Sequence, residues 1–192
     1  LPGRLQWTLG LDGWALALRA QHDCCINGTL LLRVEPGLGR LKITLPAAPG
    51  AVGQWPAGWL AGLGTPFNTL QLGGNLSLAS QGLVAESAQG RWQLSGNAAL
   101  SLHNVSSRVS TLDTLGSYRL AINGGAGSSS PAGVVLSTLD GPLQLSGSGQ
   151  WASTGLRFRG EARALPGSEA ALNNLLNIIG RRQGTLAVLS IG

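Results

Sequence analysis

Along most of the chain apolar and polar residues alternate with a period of two, the pattern of strands that turn one face to an apolar environment. Leu5, Trp7, Leu9 and Leu11 share one parity, and Trp14, Leu16 and Leu18 follow Asp12-Gly13, a tight-turn dipeptide, so the first twenty residues predict a hairpin. Leu30, Leu32 and Val34, then Leu41, Ile43 and Leu45, flank "EPGLG" and predict a second. From "PAAPG" to "GTPFN" the alternation stops. Trp55, Pro56, Trp59, Leu60, Leu63 and Pro66 there predict a loop with a short helical turn over about residues 56–63, its two tryptophans plugging one end of a core.

The alternation resumes in a form that recurs. Leu70-x-Leu72-x-Gly74-x-Leu76-x-Leu78 has the layout of Trp92-x-Leu94-x-Gly96-x-Ala98-x-Leu100-x-Leu102; Leu143-x-Leu145-x-Gly147-x-Gly149-x-Trp151 and Leu156-x-Phe158-x-Gly160-x-Ala162-x-Ala164 follow. In all four a glycine takes the apolar parity, where it lets the strand bend or lets another group come close. The intervals between these glycines, 22, 51 and 13 residues, exclude a solenoid or propeller of fixed period, and leave chance recurrence in a glycine-rich chain as the plainer reading. Between Tyr118, Leu120, Ile122 and Val134, Leu136 lies "NGGAGSSSPAG", predicted as a flexible hairpin tip. About a dozen strands emerge, and four that bend at mid-length describe a strongly curved sheet.

One segment breaks the period. In "EAALNNLLNIIGRRQG", residues 169–184, Leu172, Leu175, Leu176 and Ile179 recur at helical spacing. Ser168 fits an N-cap, Glu169 suits the first turn, and Gly180 suits a left-handed stop before Arg181 and Arg182. Asn173, Asn174 and Asn177 occupy its other side, although asparagine is a poor helix former. Two readings account for them: the helix closes one end of the sheet with its asparagines in water or capping strand ends, or Asn173, Asn174, Asn177, Arg181 and Arg182 form a partner-docking surface.

Composition narrows the chemistry. Of 192 residues 43% are hydrophobic and 11% charged, with 30 glycines and 9 prolines, which describes a turn-rich β protein with few groups for ionic work. The net charge of +5 comes from 13 basic and 8 acidic residues, with one lysine, Lys42, and no basic run, so nucleic acid is a poor partner. A mildly basic face toward an acidic partner or anionic headgroups stays open. No stretch of 18 apolar residues could span a bilayer as a helix. The chain begins at Leu1 and holds no methionine, which reads as a piece of a longer protein with a signal or anchor before it. His22-Asp23 precedes Cys24-Cys25, but neighbours on an extended segment face opposite ways, so no nucleophile and base pair is read there. The cysteines themselves are either a vicinal disulfide or two thiols on opposite faces. His103 reads as a surface or turn residue at a strand end, and Asp12 and Asp140 as turn formers before glycine. No catalytic, phosphate-binding or dinucleotide motif is present, and no cofactor or metal is expected.

The stretch "LRFRGEARALPGSEAALNNLLNIIGRRQGTLAVLSIG", residues 156–192, resembles the C-terminal signature of the type II secretion system protein N family, in which a strand with R-G-E-A precedes E-x-A-L-x-N-L-L-x-x-I-G-R-R-x-G. "LAGLGTPFNTLQLGG" at 60–74 and "LGSYRLAINGG" at 115–125 are similar to further family segments. The resemblance implies a Gram-negative envelope component of the cell inner membrane, with an N-terminal membrane helix, a periplasmic domain and no catalytic residues. The expected fold is all-β and mostly antiparallel: a long, strongly curved sheet or partly open barrel-like domain with one C-terminal amphipathic helix, spanning 1–192 as a single unit. The expected function is structural, in assembly of the secretion apparatus through contacts with its other inner-membrane and periplasmic components. The alternative is a β-groove for a lipid or other hydrophobic ligand.

Overall fold

The computed structural model describes residues 4–125, 130–152 and 155–192. Its strands β1 (Gln6–Asp12), β2 (Ala15–Gln21), β3 (Leu30–Gly37), β4 (Arg40–Pro56), β5 (Leu72–Ala88), β6 (Arg91–Ser107), β7 (Gly116–Asn123), β8 (Ala132–Asp140), β9 (Leu143–Ala152) and β10 (Gly155–Ala164) follow one another, each antiparallel to the last. Helix α1 (Phe67–Leu70) lies between β4 and β5, and α2 (Glu169–Ile179) follows β10. The final strands, β11 (Arg181–Gln183) and β12 (Leu186–Ile191), join in reverse order, so β12 pairs with β10 and β11 forms the far edge. All twelve strands make one sheet with β1 and β11 as its two edges, so it is open rather than closed into a barrel. Both predicted N-terminal hairpins are present, joined through Gly13-Trp14 and Leu38-Gly39.

The predicted loop after "PAAPG" starts later than the pattern indicated. Strand β4 continues to Pro56, pairing with β5 through two register shifts near Ala47, Ala51 and Gly53. The first shift lets Pro49 sit in the strand without an N–H to give the ladder, and Pro46 lies just past the last β3–β4 pair, at Thr44. The helical turn is a 3-10 segment, Ala57–Leu63. Its tryptophans are not the plug: Trp55 and Trp59 stand together, ring centres 6.5 Å apart, but Trp59 stays 51% exposed while Ala57 and Leu70 are buried.

The four recurring glycines do two different jobs. Gly74 and Gly96 have φ of 101° and 80° and lie at register shifts between β5 and β6, so they bend their strands where a side chain would be strained. Gly147 and Gly160 instead pair directly across β9 and β10, where a Cβ on Gly160 would stand 2.7 Å from the Ser146 carbonyl oxygen and 3.0 Å from the Phe158 ring. His103 lies inside β6 rather than at its end, because the strand runs on through a left-handed Asn104 (φ 51°) to Ser107. The centre of "NGGAGSSSPAG", residues 126–129, falls outside the described residues; Gly124 and Gly125 before it donate N–H groups to Gly96 and Leu94.

The well-buried core sits at the C-terminal end. Leu172 (0% exposed), Leu175 (1%) and Leu176 (2%) of α2 pack with Leu70, Val105, Leu115, Tyr118, Leu143, Ala162 and Ala187. Tyr118 is buried with its hydroxyl 3.0 Å from the carbonyl oxygens of both Leu115 and Leu143, to which it donates. Burial, and then the nearby Asp140 carboxylate, push its phenol well above the ordinary value, so it stays a neutral donor.

Candidate functional site

Three features are candidates for function: the helix end, the cysteine turn and the N-terminal edge. At the helix end, α2 spans the predicted residues but its ends are built otherwise than expected. Ser168 makes no capping bond with its side chain; Glu169 instead turns back, its Oε2 accepting from the Gly167 N–H at 2.8 Å. Gly180 is extended, with φ −164°, rather than left-handed. It is a glycine for space: a Cβ there would lie 2.6 Å from the carbonyl oxygen of Val188 on β12. The chain therefore runs straight from helix into edge strand, and Arg181 and Arg182 belong to β11.

Asn173, Asn174, Asn177 and Arg181 are exposed, while Arg182 is partly buried. Arg182 Nη2 donates to Asn173 Oδ1 at 3.3 Å, and its Nη1 is enclosed without a hydrogen-bond partner among the described residues. Asn173 and Arg182 thus meet, tying the helix to the edge strand, whereas Asn174, Asn177 and Arg181 reach outward with no side-chain bond among the described residues.

In the cysteine turn, Cys24 and Cys25 are joined by a vicinal disulfide, their Cα atoms 3.7 Å apart. His22 is 6% exposed, and its Nδ1 accepts from the Cys24 N–H at 3.3 Å. The turn is anchored to β4: the Cys25 carbonyl accepts from Gln54 N–H at 2.8 Å, and Asn27 gives its N–H to Val52 and its side-chain amide to Ala51. His22 here positions backbone, and the sulfurs are bonded to each other.

The N-terminal edge is the region that alternation misdescribed. Leu5, Trp7, Leu9 and Leu11, read as one inward parity, are 57%, 63%, 58% and 80% exposed. Trp14 is 97% exposed and Leu38 fully so, because each lies in a two-residue turn. Registration carries the apolar face inward from this edge: Leu11 lies opposite Leu16, then Val34, Ile43, Ala85 and Leu94, a row six strands wide. Residues directly opposite share a face, so this is a continuous apolar strip, and every side chain in it keeps some exposure. The core around α2 draws no residue from β1 to β4, and from β5 only Leu72, at the strand's first position, packs against it. The signal was available in the count of turn residues, since pairing Asp12 with Ala15 leaves Trp14 in the turn itself.

These features define a class: an open, single-sheet β protein with a helix-covered end and an uncovered apolar end. The chain belongs to the family described as "Type II secretion system (T2SS), protein N", whose profile matches residues 1–188. Its role therefore lies in type II secretion, and it is a component of the cell envelope. No curated protein and no solved structure gives a significant match. No helix among the described residues is long and apolar enough to cross a membrane.

Proposed function

We propose that residues 1–192 act as one non-enzymatic unit at the periplasmic face of the inner membrane, holding other type II secretion components through the outer surface of α2 and the β11 edge beside it. The observation that carries this reading is the division of α2: Leu172, Leu175 and Leu176 are almost wholly enclosed, so the helix is fixed, while Asn173, Asn174 and Asn177 are presented on its far side. A rigid helix that presents amides and a guanidinium loses little conformational freedom on binding. An unpaired strand edge next to it supplies backbone donors and acceptors for a partner strand. The test is recovery of secretion components from envelope extracts by the wild type and by the Asn173→Ala/Asn177→Ala/Arg181→Ala variant. We expect recovery to collapse while stability falls only by the exposed Asn173–Arg182 hydrogen bond, about 0.5–1.5 kcal/mol; equal recovery overturns the docking role.

A second reading is favoured by one observation, the six-strand apolar strip, which among the described residues lies outside the helix-covered core. Such a floor suits an acyl chain or another extended hydrophobic ligand. Mass spectrometry of the purified chain under native conditions decides it: a stoichiometric lipid supports the groove, and an empty chain that still captures secretion components removes it.

A further inference from the structure

We infer that β1 is a self-association edge, pairing antiparallel with β1 of a second copy so that two open sheets become one sheet of twice the width. Three observations lead there. Among the described residues β1 pairs only with β2, which leaves its other side open from Gln6 to Asp12. It also carries a run of exposed large apolar side chains, with Trp7, Leu9 and Leu11 at 58–80% exposed and Trp14 at 97%. With about 150–250 Å² per aromatic side chain, the exposed parts of these four residues amount to roughly 500–650 Å² per copy, close to the ~600 Å² per partner at the low end of stable interfaces.

The third observation is register, which singles out a second copy. The two-residue turn makes Asp12 and Ala15 a hydrogen-bonded pair, so Gly10, Thr8 and Gln6 bond inward to β2. Trp7, Leu9 and Leu11 therefore aim their backbone N–H and C=O groups outward. An antiparallel ladder needs such residues to face each other, and centring it on Leu9 does so throughout: Leu9 meets Leu9, and each Trp7 meets the Leu11 of the other copy. On the reverse face Gln6 meets Asp12 and Thr8 meets Gly10, with no like charges opposed. The contact is isologous and closes on itself. The other free edge, β11, has three residues and cannot match this length; joining it to β1 would also propagate into a filament.

The inference is independent of both readings of function, because it uses neither α2 nor the centre of the strip. Sedimentation velocity of the 192-residue chain over about a hundredfold range of concentration should show a reversible dimer. Leu9→Pro removes one outward N–H per copy and no bond within the copy, so the dimer should weaken about 30-fold. Trp7→Lys/Leu11→Lys opposes like charges and should give monomer, whereas Trp7→Lys/Leu11→Glu opposes unlike charges and should dimerise, more weakly than the wild type and at least about tenfold more tightly than the Lys/Lys variant. A monomer throughout the range, a dimer indifferent to Leu9→Pro, or identical behaviour of the two charge variants would each overturn the inference. Should Leu9→Pro fail to fold, the charge variants decide it alone.

Discussion

The two ends of this sheet obey the same alternation and come to different ends. At the C-terminal end, strands β7 to β10 and β12 lay their apolar face under α2, and Leu115, Leu172 and Leu175 fall to 2% exposure or less. At the N-terminal end β1 to β3 show the same period, yet Leu9, Leu11 and Trp14 stay in contact with water and the buried positions of β2 are alanines. Alternation makes a face, and only a covering element makes a core. The covered end accordingly holds the stability, and the uncovered end is free to be an interaction surface.

The first way to break that contrast is to remove the cover. Leu175→Ala would leave a cavity in the tightest part of the molecule and should cost about 2–5 kcal/mol, read from the denaturant midpoint at unchanged slope. Gly180→Ala is next. Its Cβ would press on the Val188 carbonyl, where only backbone can give way, so the helix must lift from β12 at a cost of about 1–3 kcal/mol.

Tyr118→Phe removes a buried donor shared by the carbonyl oxygens of Leu115 and Leu143, the first of which keeps its bond from the Leu143 N–H, for about 1–2 kcal/mol at neutral pH. The tyrosine also sharpens the comparison through pH. A phenol held above its ordinary value of about 10 contributes stability that is complete below that pH and is lost as pH climbs toward the folded value. The wild type should therefore lose its advantage over Tyr118→Phe as unfolding is measured from pH ~9 upward. Last, Trp14→Ser, a larger deletion than any of these, should change stability by less than about 0.5 kcal/mol, because nothing packs on it.

Much of this was legible in the sequence because the signals were local. Period two located the strands, Asp12-Gly13 and "EPGLG" located the hairpins, and the spacing of Leu172, Leu175, Leu176 and Ile179 located α2 and its inner face. What could not be read depended on neighbours distant in the chain. Gly180 answers to Val188 on β12 and Gly160 to Ser146 on β9. The continuation of β4 through Pro46 and Pro49 depends on where its pairing with β3 stops and on a register shift against β5. Exposure of the first strand was hidden for the same reason, since a period records which face is apolar and not whether anything lies on it. At the candidate site, the meeting of Asn173 with Arg182 required the direct passage from α2 into β11.

Residue-resolved hydrogen exchange under native conditions, on dilute monomer, tests the division of the sheet most directly. Amides of α2, β8 and β9 should exchange only through global unfolding, while those of β1 to β3 should open at several kcal/mol less. Equal protection at the two ends would contradict the account.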